Sequence, residues 1–186
     1  MTHILLISGS AREGSFNTAT IKAFESVLPS GTTAEHLDFS AVPLYNQDRE
    51  ANYPEEVKAV REKIRAADGV AISTPEYNRS IPGYLKNMID WTSRPYGDGA
   101  WAGKPVFIMG ASGGAIGTAL AQYDLKKVML YLDARVMGQP ETYVGGAGSK
   151  FPMDEKQQRV TGPLTDEDTK AHLTKAAAAF VAFIAA

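Results

Sequence analysis

The chain begins with an apolar run that leads directly into a loop of glycines and hydroxyls, Ile4-Leu5-Leu6-Ile7-Ser8-Gly9-Ser10-Ala11-Arg12-Glu13-Gly14-Ser15-Phe16-Asn17. Four apolar residues without period-two alternation predict a buried parallel strand. A helical pattern follows the loop, with apolar residues at Ile21, Phe24 and Leu28. The stretch therefore predicts a strand, a loop and a helix N-terminus, where backbone N–H groups favour an anion.

Two further apolar runs, at residues 70–73 and 106–109, are each followed by a segment with helical periodicity. Runs of this kind lack polar alternation because helices cover both faces of a parallel sheet. Leu37-Asp38-Phe39 predicts a more exposed strand, and residues 134–137 predict the last strand. The sequence therefore predicts a flavodoxin-like, three-layer α/β sandwich: a five-stranded parallel sheet in the order 2-1-3-4-5 with helices on both faces.

The segments between these runs complete the predicted outline. Pro54 begins a helix that ends at Gly69, as is usual for proline and glycine at helix termini. Thr165-Asp166-Glu167-Asp168 resembles a capping box and predicts the start of a last helix. The stretch 138–163 contains several glycines and prolines and predicts a loop with little regular structure. At 186 residues we expect one domain, residues 1–186.

The composition argues against several classes of protein. With 19 basic and 21 acidic residues and no dense basic run, nothing favours a nucleic-acid partner or an anionic membrane surface. The absence of cysteine excludes disulfides, thiol-based reductase chemistry and cysteine-ligated metals, so a redox role needs a bound cofactor. His3, His36 and His172 have no metal-ligand spacing, and we expect no metal site. No apolar leader or membrane-length apolar run appears, and we expect a soluble, cytoplasmic protein.

The first loop offers a set of donors suited to a phosphate monoester. Ser10, Ser15 and Asn17 are neutral hydrogen-bond donors, and Arg12 has a charged guanidinium with several donors. The two glycines of the loop let its backbone approach a ligand closely. The spacing matches neither a Walker A loop nor the dinucleotide G-x-G-x-x-G fingerprint. The alternative is an ordinary turn in which Ser15 is only the N-cap of the next helix.

The second loop, Thr74-Pro75-Glu76-Tyr77-Asn78-Arg79-Ser80, follows a buried strand. Its successive amides suit the edge of a pyrimidine-like ring, and Tyr77 offers a flat surface beside it. The alternative is a turn with an exposed tyrosine. The third loop, Gly110-Ala111-Ser112-Gly113-Gly114-Ala115-Ile116-Gly117, has little side-chain bulk and leaves room for a ring or a second ligand. Glycine-rich turns also occur for steric reasons alone.

Together these motifs resemble those of the NADPH-dependent FMN reductase family, a flavodoxin-like group that includes chromate, quinone and azo-dye reductases. The resemblance covers most of the chain. It rests on residues 9–17, on Pro75-Glu76-Tyr77-Asn78-Arg79-Ser80-Ile81-Pro82-Gly83-Tyr84-Leu85-Lys86-Asn87-Met88-Ile89-Asp90-Trp91, and on Gly110-Ala111-Ser112 followed by Gly117 and Ala121-Gln122-Tyr123. One departure is Leu120, because many relatives have an arginine there. If that arginine serves subunit contacts or the site rim, assembly or acceptor preference differs in this chain.

The resemblance implies a cofactor, FMN, and a set of residues around it. Ser10, Arg12, Ser15 and Asn17 hold its phosphate; Pro75, Glu76, Tyr77 and Asn78 contact the isoalloxazine ring; and Ser112, Gly113 and Gly114 lie near the ring. The resemblance also implies NADPH or NADH as the hydride donor and a homodimer or homotetramer. Trp91, Tyr96 and Trp101 cluster near the second motif, and they belong either to the core or to such an interface.

The implied function is that of an enzyme, an FMN-dependent NAD(P)H oxidoreductase. Hydride passes from NADPH through the bound flavin to a small-molecule acceptor: a quinone, an azo compound, a nitroaromatic, a metal oxyanion such as chromate, or free flavin. Since the flavin carries the chemistry, no catalytic side chain is required, and Glu76 and Tyr77 are the nearest candidates. Arg79 and Arg94 are candidates for contacting the adenosine phosphate of NADPH.

Two alternatives from other classes bind flavin without oxidising a nicotinamide nucleotide. A flavodoxin-like electron carrier passes single electrons to a protein partner and normally docks through a strong charge patch. The net charge of −2 argues against that function. A flavin-binding redox sensor would instead capture a partner protein.

Overall fold

The central parallel sheet of the computed structural model, which describes residues 1–186, has the predicted strand order. Its strands are β1 (Thr2–Ser8), β2 (Thr32–His36), β3 (Gly69–Ser73), β4 (Pro105–Ala111), β5 (Arg135–Val136) and β6 (Thr142–Val144). The order is β2-β1-β3-β4-β5, and β6 also pairs with β4. The flavodoxin-like arrangement predicted from the apolar runs is thereby confirmed.

Five helices cover the two faces of the sheet. They are α1 (Phe16–Glu25), α2 (Glu55–Ala66), α3 (Gly83–Thr92), α4 (Ala119–Tyr131) and α5 (Glu167–Ala185). Leu5 and Ile7 of β1 pack with α2, α3 and α4, whereas Ile4 and Leu6 pack with α1 and α5. Because both faces of β1 are buried, its sequence shows no polar alternation. No helix combines the length and the apolar character needed to span a bilayer.

The segment 138–163 is more ordered than the sequence predicts. It contains β6, a short 3-10 helix at Ala147–Ser149, and an antiparallel hairpin of β7 (Met153–Asp154) and β8 (Arg159–Val160). Strands of two or three residues are too short to carry a readable hydrophobic period. The edge strand is interrupted between β5 and β6 around Pro140, which has no N–H to donate to β4.

The strand predicted at Leu37-Asp38-Phe39 lies elsewhere. The observed edge strand is β2, which pairs with β1 from Thr32 to His36, and only one ladder hydrogen bond continues to Leu37. Leu37 and Phe39 are buried rather than exposed, and the Phe39 ring stacks on Tyr84 at 4.3 Å. Apolar and polar residues alternate at 37–39 because Leu37 and Phe39 are loop residues that pack into the core. The strand β2 itself is mostly polar.

Helix α5 begins one residue later than the predicted capping box. Asp166, not Thr165, is the N-cap, and its carboxylate accepts a hydrogen bond of 2.9 Å from the Thr169 N–H. The ammonium of Lys150 lies 2.8 Å from Asp166 Oδ1. Hydrogen bonds from Lys150 and Thr169 lower the pKa of Asp166 to about 2. This carboxylate therefore stays charged and caps the helix at ordinary pH.

The three aromatic residues after the second motif divide between core and surface. Trp91 and Trp101 are fully buried, and their indole N–H groups donate to the Pro43 carbonyl and to Thr92 Oγ1, each at 2.8 Å. Tyr96 is 74% exposed. The two tryptophans are thus core residues, and only Tyr96 is available to a surface contact.

We expect Gly110→Ala to lower the free energy of unfolding by about 1–3 kcal/mol, as overpacking of a tight site does. A Cβ at position 110 would lie 2.0 Å from Thr118 Oγ1 and 2.3 Å from the Thr74 carbonyl oxygen. The matched control is Gly113→Ala, since no atom lies within 4 Å of a Cβ there. Urea denaturation of both variants without added ligand measures the difference. Equal stability of the two variants would contradict the packing described for β4.

Candidate functional site

Three loops meet at the carboxyl edge of the sheet. The first loop (residues 9–15) follows β1. The second and third loops, predicted at residues 74–80 and 110–117, lie in the structure at residues 74–82 after β3 and 112–118 after β4. The Gly9 N–H donates to the Ser73 carbonyl at 2.8 Å, and the Thr74 N–H donates to the Met109 carbonyl at 2.9 Å. These bonds continue the sheet ladder by one residue, so the loops start side by side. This is the edge at which ligands bind in open α/β sheets.

The first loop presents unpaired backbone donors at the start of α1. The N–H groups of residues 13–16 and of Thr18 have no acceptor in the chain. Ser15 is the N-cap, and its Oγ accepts from the Asn17 N–H at 3.1 Å. Ser10 Oγ accepts from the Arg12 N–H at 3.2 Å, while the Arg12 guanidinium is exposed. Unpaired N–H groups, hydroxyls and a guanidinium are the kinds of donor that an anion accepts.

Asn17 is buried and its side chain is used to hold the fold together. Its Nδ2 donates to the Ala111 carbonyl at 2.9 Å, and its Oδ1 accepts from the Ala111 N–H at 2.9 Å. The same Oδ1 accepts from Ser73 Oγ at 3.0 Å. The amide thus ties the first turn of α1 to the ends of β3 and β4. It positions the first loop, a function that the motif alone did not reveal.

The second loop turns back on itself in a tight two-residue hairpin. Tyr77 and Ser80 exchange both backbone hydrogen bonds at 3.0 Å, and Asn78 and Arg79 have φ of 51° and 65°. Two consecutive left-handed residues are typical of a type I′ turn. Of the successive amides considered for a ring edge, the Tyr77 N–H is donated to the Ser80 carbonyl within the loop. The N–H groups of Glu76 and Asn78 have no acceptor in the chain.

Glu76 connects the second loop to helix α4. Its Oε2 accepts from the N–H groups of Leu120 at 3.0 Å and Ala121 at 3.2 Å. Thr118, the N-cap of α4, makes no side-chain capping bond. The Glu76 carboxylate therefore takes the place of a capping side chain from 44 residues away. The Glu76 carboxylate is therefore used to hold the second loop against α4.

The third loop is held by its serine and left open by its glycines. The Ser112 N–H donates to the Val144 carbonyl at 3.0 Å, and Ser112 Oγ donates to the Gly117 carbonyl at 2.8 Å. A Cβ at Gly113 would meet no atom within 4 Å, and one at Gly114 would meet only Ser112 Oγ at 3.7 Å. Open space therefore lies over these two glycines.

Two titratable side chains next to the third loop have pKa values shifted further from neutral pH. The hydrogen bond from Lys126 lowers the pKa of Glu141, and their charged atoms lie 2.7 Å apart. Burial raises the pKa of Tyr143, which packs against Gly117. Neither group is matched to proton transfer near pH 7.

A cavity of about 530 Å³ lies between the start of α1, the third loop and the β7–β8 hairpin. Its lining residues are Phe16, Gly113, Gly146, Gly148, Ser149, Met153, Glu155 and Gln158. A second cavity of about 780 Å³ forms a groove between α3 and α4 and begins at Ser80 and Ile81 of the second loop. Of the residues with unpaired amides, Phe16 lines the first of these cavities together with Gly113 of the third loop.

The two arginines considered for nucleotide binding lie in different places. Arg79 is at the tip of the second loop, 74% exposed, with Nη1 3.5 Å from Glu76 Oε1. Arg94 follows the end of α3, where its guanidinium stacks over the Tyr96 ring at 4.2 Å and faces Glu50 at 3.4 Å. The ten residues of α3 separate Arg94 from the second loop by about 15 Å. Of the two, only Arg79 lies at the edge where the loops meet.

A family model described as NADPH-dependent FMN reductase matches residues 2–149. The chain belongs to this family. Among curated proteins, this FMN reductase family member is 44% identical over 170 residues to a 2-hydroxy-1,4-benzoquinone reductase from Burkholderia, covering 91% of the chain and 89% of the relative. It is 42% identical over 184 residues to a quinone reductase from Escherichia coli K12, with 97% and 94% covered.

The solved structures include a close counterpart of the whole chain. FerB, a flavoenzyme NAD(P)H:(acceptor) oxidoreductase from Paracoccus denitrificans, superposes with a TM-score of 0.88 at 36% identity. The match covers 99% of this chain and 97% of FerB. The family model ends at residue 149, so the β7–β8 hairpin and α5 lie outside the matched residues.

For this FMN reductase family member we expect Asn17→Ala to destabilise the ligand-free protein by about 2–4 kcal/mol, because each buried group left unpaired costs about 1–3 kcal/mol. The groups concerned are the Ala111 N–H and carbonyl and the Ser73 hydroxyl. The control is Asn52→Ala, at an exposed position, which should change stability by less than about 0.5 kcal/mol. Denaturant unfolding without FMN is the measurement. Unchanged stability with weakened FMN binding would instead place the Asn17 amide on the ligand.

Proposed function

We propose that this chain binds FMN at the three loops and uses it to reduce a quinone at the expense of NAD(P)H. The observation that carries the proposal is the set of unpaired N–H groups at residues 13–16 and Thr18, at the same edge of the sheet as the open backbone of Gly113 and Gly114. A dianionic phosphate next to a flat ring has the charge and shape that this arrangement would accept. FMN, when bound, supplies hydride and electron transfer that no side chain of the protein provides.

The phosphate is proposed to bind at the first loop. Its partners would be the unpaired amides, the Ser10 and Ser15 hydroxyls and the Arg12 guanidinium. The first turn of α1 contains no acidic residue, so the helix N-terminus adds to the attraction. Charge-assisted hydrogen bonds contribute about 1.5–3 kcal/mol each, and a few of them suffice to retain a cofactor. Asn17 would act by positioning the loop.

The ring is proposed to lie against the second and third loops. Pro75, Glu76 and Asn78 would meet it through backbone atoms, since the Glu76 and Asn78 N–H groups are free. Tyr77 is half exposed and offers its ring beside the flavin. Ser112 would hold the third loop in shape while Gly113 and Gly114 leave room. No side chain is assigned as a catalytic acid or base, because the Glu76 carboxylate is occupied as a helix cap.

A quinone is the proposed acceptor. Two relatives at 42–44% identity are named for quinone reduction, which supports this class of substrate. Azo compounds, nitroaromatics, chromate and free flavin remain predictions. The cytoplasmic location and the single domain over residues 1–186 also stay predictions, although both core layers pack on one sheet, which favours a single domain.

Self-association through the α3 and α4 face is proposed as well, as a homodimer or homotetramer. Large apolar or aromatic side chains stand exposed along this face: Tyr96, Leu120, Tyr123, Leu130 and Tyr131. The concave groove between α3 and α4 lies on the same face as these side chains. Exposed apolar area of this kind is typical of protein interfaces. Leu120 adds to it at the position where the family resemblance leads one to expect arginine.

Stopped-flow absorbance of the FMN-loaded protein distinguishes this function from an electron carrier or a sensor. After anaerobic mixing with NADPH, we expect rapid loss of the visible flavin absorbance and its recovery when a quinone is added. The same mixture without protein is the control for direct reaction of free FMN. Bound FMN that NADPH leaves oxidised would favour a carrier or sensor, and a chain that binds no FMN would refute the proposal.

Arg79 is proposed to contact the adenosine phosphate of NADPH, because it is exposed at the rim of the loops. We expect Arg79→Gln to raise KM for NADPH about five-fold and to leave KM for NADH unchanged, as suits an exposed charge pair of about 1 kcal/mol. Arg49→Gln is the control, since Arg49 is exposed and lies outside the three loops. Equal effects on both nucleotides would reject this role for Arg79.

A further inference from the structure

The β7–β8 hairpin holds the first loop from outside the family-matched part of the chain. The Val160 N–H donates to the Gly14 carbonyl at 2.9 Å. Arg159 Nη1 lies 2.7 Å from Glu13 Oε2 in an ion pair. Two consecutive residues of the first loop are therefore fixed by two consecutive residues of β8.

The hairpin also approaches the loop closely. Arg12 Nη2 lies 3.5 Å from the Gln157 carbonyl, next to the turn of the hairpin. Gly14 has φ of 65°, and a Cβ there would lie 2.7 Å from the Cβ of Arg159. Position 14 thus accepts no side chain while the hairpin is in place. The left-handed turn that exposes the amides of residues 13–16 is packed against β8.

The hairpin is itself anchored on both sides of its base. The Thr161 N–H donates to the Pro152 carbonyl at 2.9 Å, which closes the hairpin. The ring of Phe151 lies 6.3 Å from that of Phe16 at the start of α1. The Thr165 N–H donates to the Lys150 carbonyl at 2.9 Å, just before α5. Since its base is fixed to both helices, the hairpin can restrain the loop.

The ion pair at the contact reduces the repulsion that Glu13 would exert on an anion in the loop. Glu13 is the only acidic residue among residues 9–15, and its carboxylate would repel a phosphate. The ion pair with Arg159 offsets that charge and ties the side chain to the hairpin. Both side chains remain partly exposed, at 80% for Glu13 and 42% for Arg159, so their replacement leaves the core intact.

We propose that the β7–β8 hairpin is a clamp that holds the first loop in its phosphate-binding conformation and thereby slows the release of FMN, with Glu13 and Arg159 as its positioning residues. The proposal rests on the proposed function, because it assumes that FMN binds at this loop. It assigns the retention of the cofactor to contacts that take no part in hydride transfer.

The test measures dissociation rates of FMN and of riboflavin from the full-length protein by the change in flavin fluorescence. Riboflavin has the same ring and lacks the phosphate. We expect Glu13→Gln and Arg159→Gln each to speed FMN release by about two- to five-fold, the range for an exposed ion pair, and to leave riboflavin unchanged. The double variant should release FMN no faster than the single variants, because both remove the same contact.

The sign of the Glu13 effect separates the clamp from simple electrostatics. Removal of a negative charge beside a phosphate would tighten FMN binding if no clamp existed, whereas the clamp predicts faster release. Lys156→Gln is the matched control, because Lys156 is exposed in the same hairpin and its side chain makes no hydrogen bond or ion pair with the first loop. It should release FMN at the wild-type rate, and melting curves of the ligand-free variants should match the wild type.

Three results would overturn the clamp while leaving the proposed function intact: slower FMN release in Glu13→Gln, equal acceleration for riboflavin, or an effect of Lys156→Gln as large as that of Arg159→Gln. Wild-type protein that binds neither flavin would overturn the proposed function, and the clamp with it. The two failures are therefore distinguishable in one set of measurements.

Discussion

The hydrogen bonds of the Asn17 side chain connect three elements of the fold. One amide satisfies the Ala111 N–H and carbonyl at the end of β4 and accepts from Ser73 at the end of β3. Because these groups are buried, breaking any of the bonds leaves a polar group unpaired in a low-dielectric interior. Helix α1 therefore cannot slide along the sheet without a large cost. The unpaired amides at its N-terminus are thereby held at the same sheet edge as the loops that follow β3 and β4.

The polar residues at this edge fall into two groups with different roles. The side chains of Asn17 and Glu76 bond to other elements of the chain, that of Ser112 bonds within the third loop, and each fixes one loop. What is left for a ligand is chiefly backbone N–H, together with Arg12 at the surface. Backbone donors that are already fixed lose little conformational entropy on binding, so more of the interaction energy appears as affinity. The edge is thus held in shape by side-chain contacts within the chain.

The features that the sequence predicts correctly are those encoded by local residue patterns. Apolar runs without alternation correctly predict central strands, and glycine-rich turns after them correctly predict three neighbouring loops. The partners of the loop side chains are not encoded locally: Asn17 bonds 94 residues away, Glu76 bonds 44 residues away, and Glu13 pairs 146 residues away. The position predicted for strand β2 is wrong for a physical reason. An exposed edge strand is polar and carries little apolar pattern, whereas the neighbouring Leu37 and Phe39 are buried loop residues.

The hairpin at residues 153–160 shows why long-range contacts matter for function as well as for fold. The residues matched by the family model end at 149, and they include all three loops. The contacts to Glu13 and Gly14 come from beyond that point. Whether a flavin is retained or exchanged depends on a free-energy difference of a few kcal/mol, about the size of a small number of such contacts. If the hairpin acts as the proposed clamp, substitutions in it would shift cofactor retention and leave the second and third loops unaltered, so retention and hydride transfer would be separable.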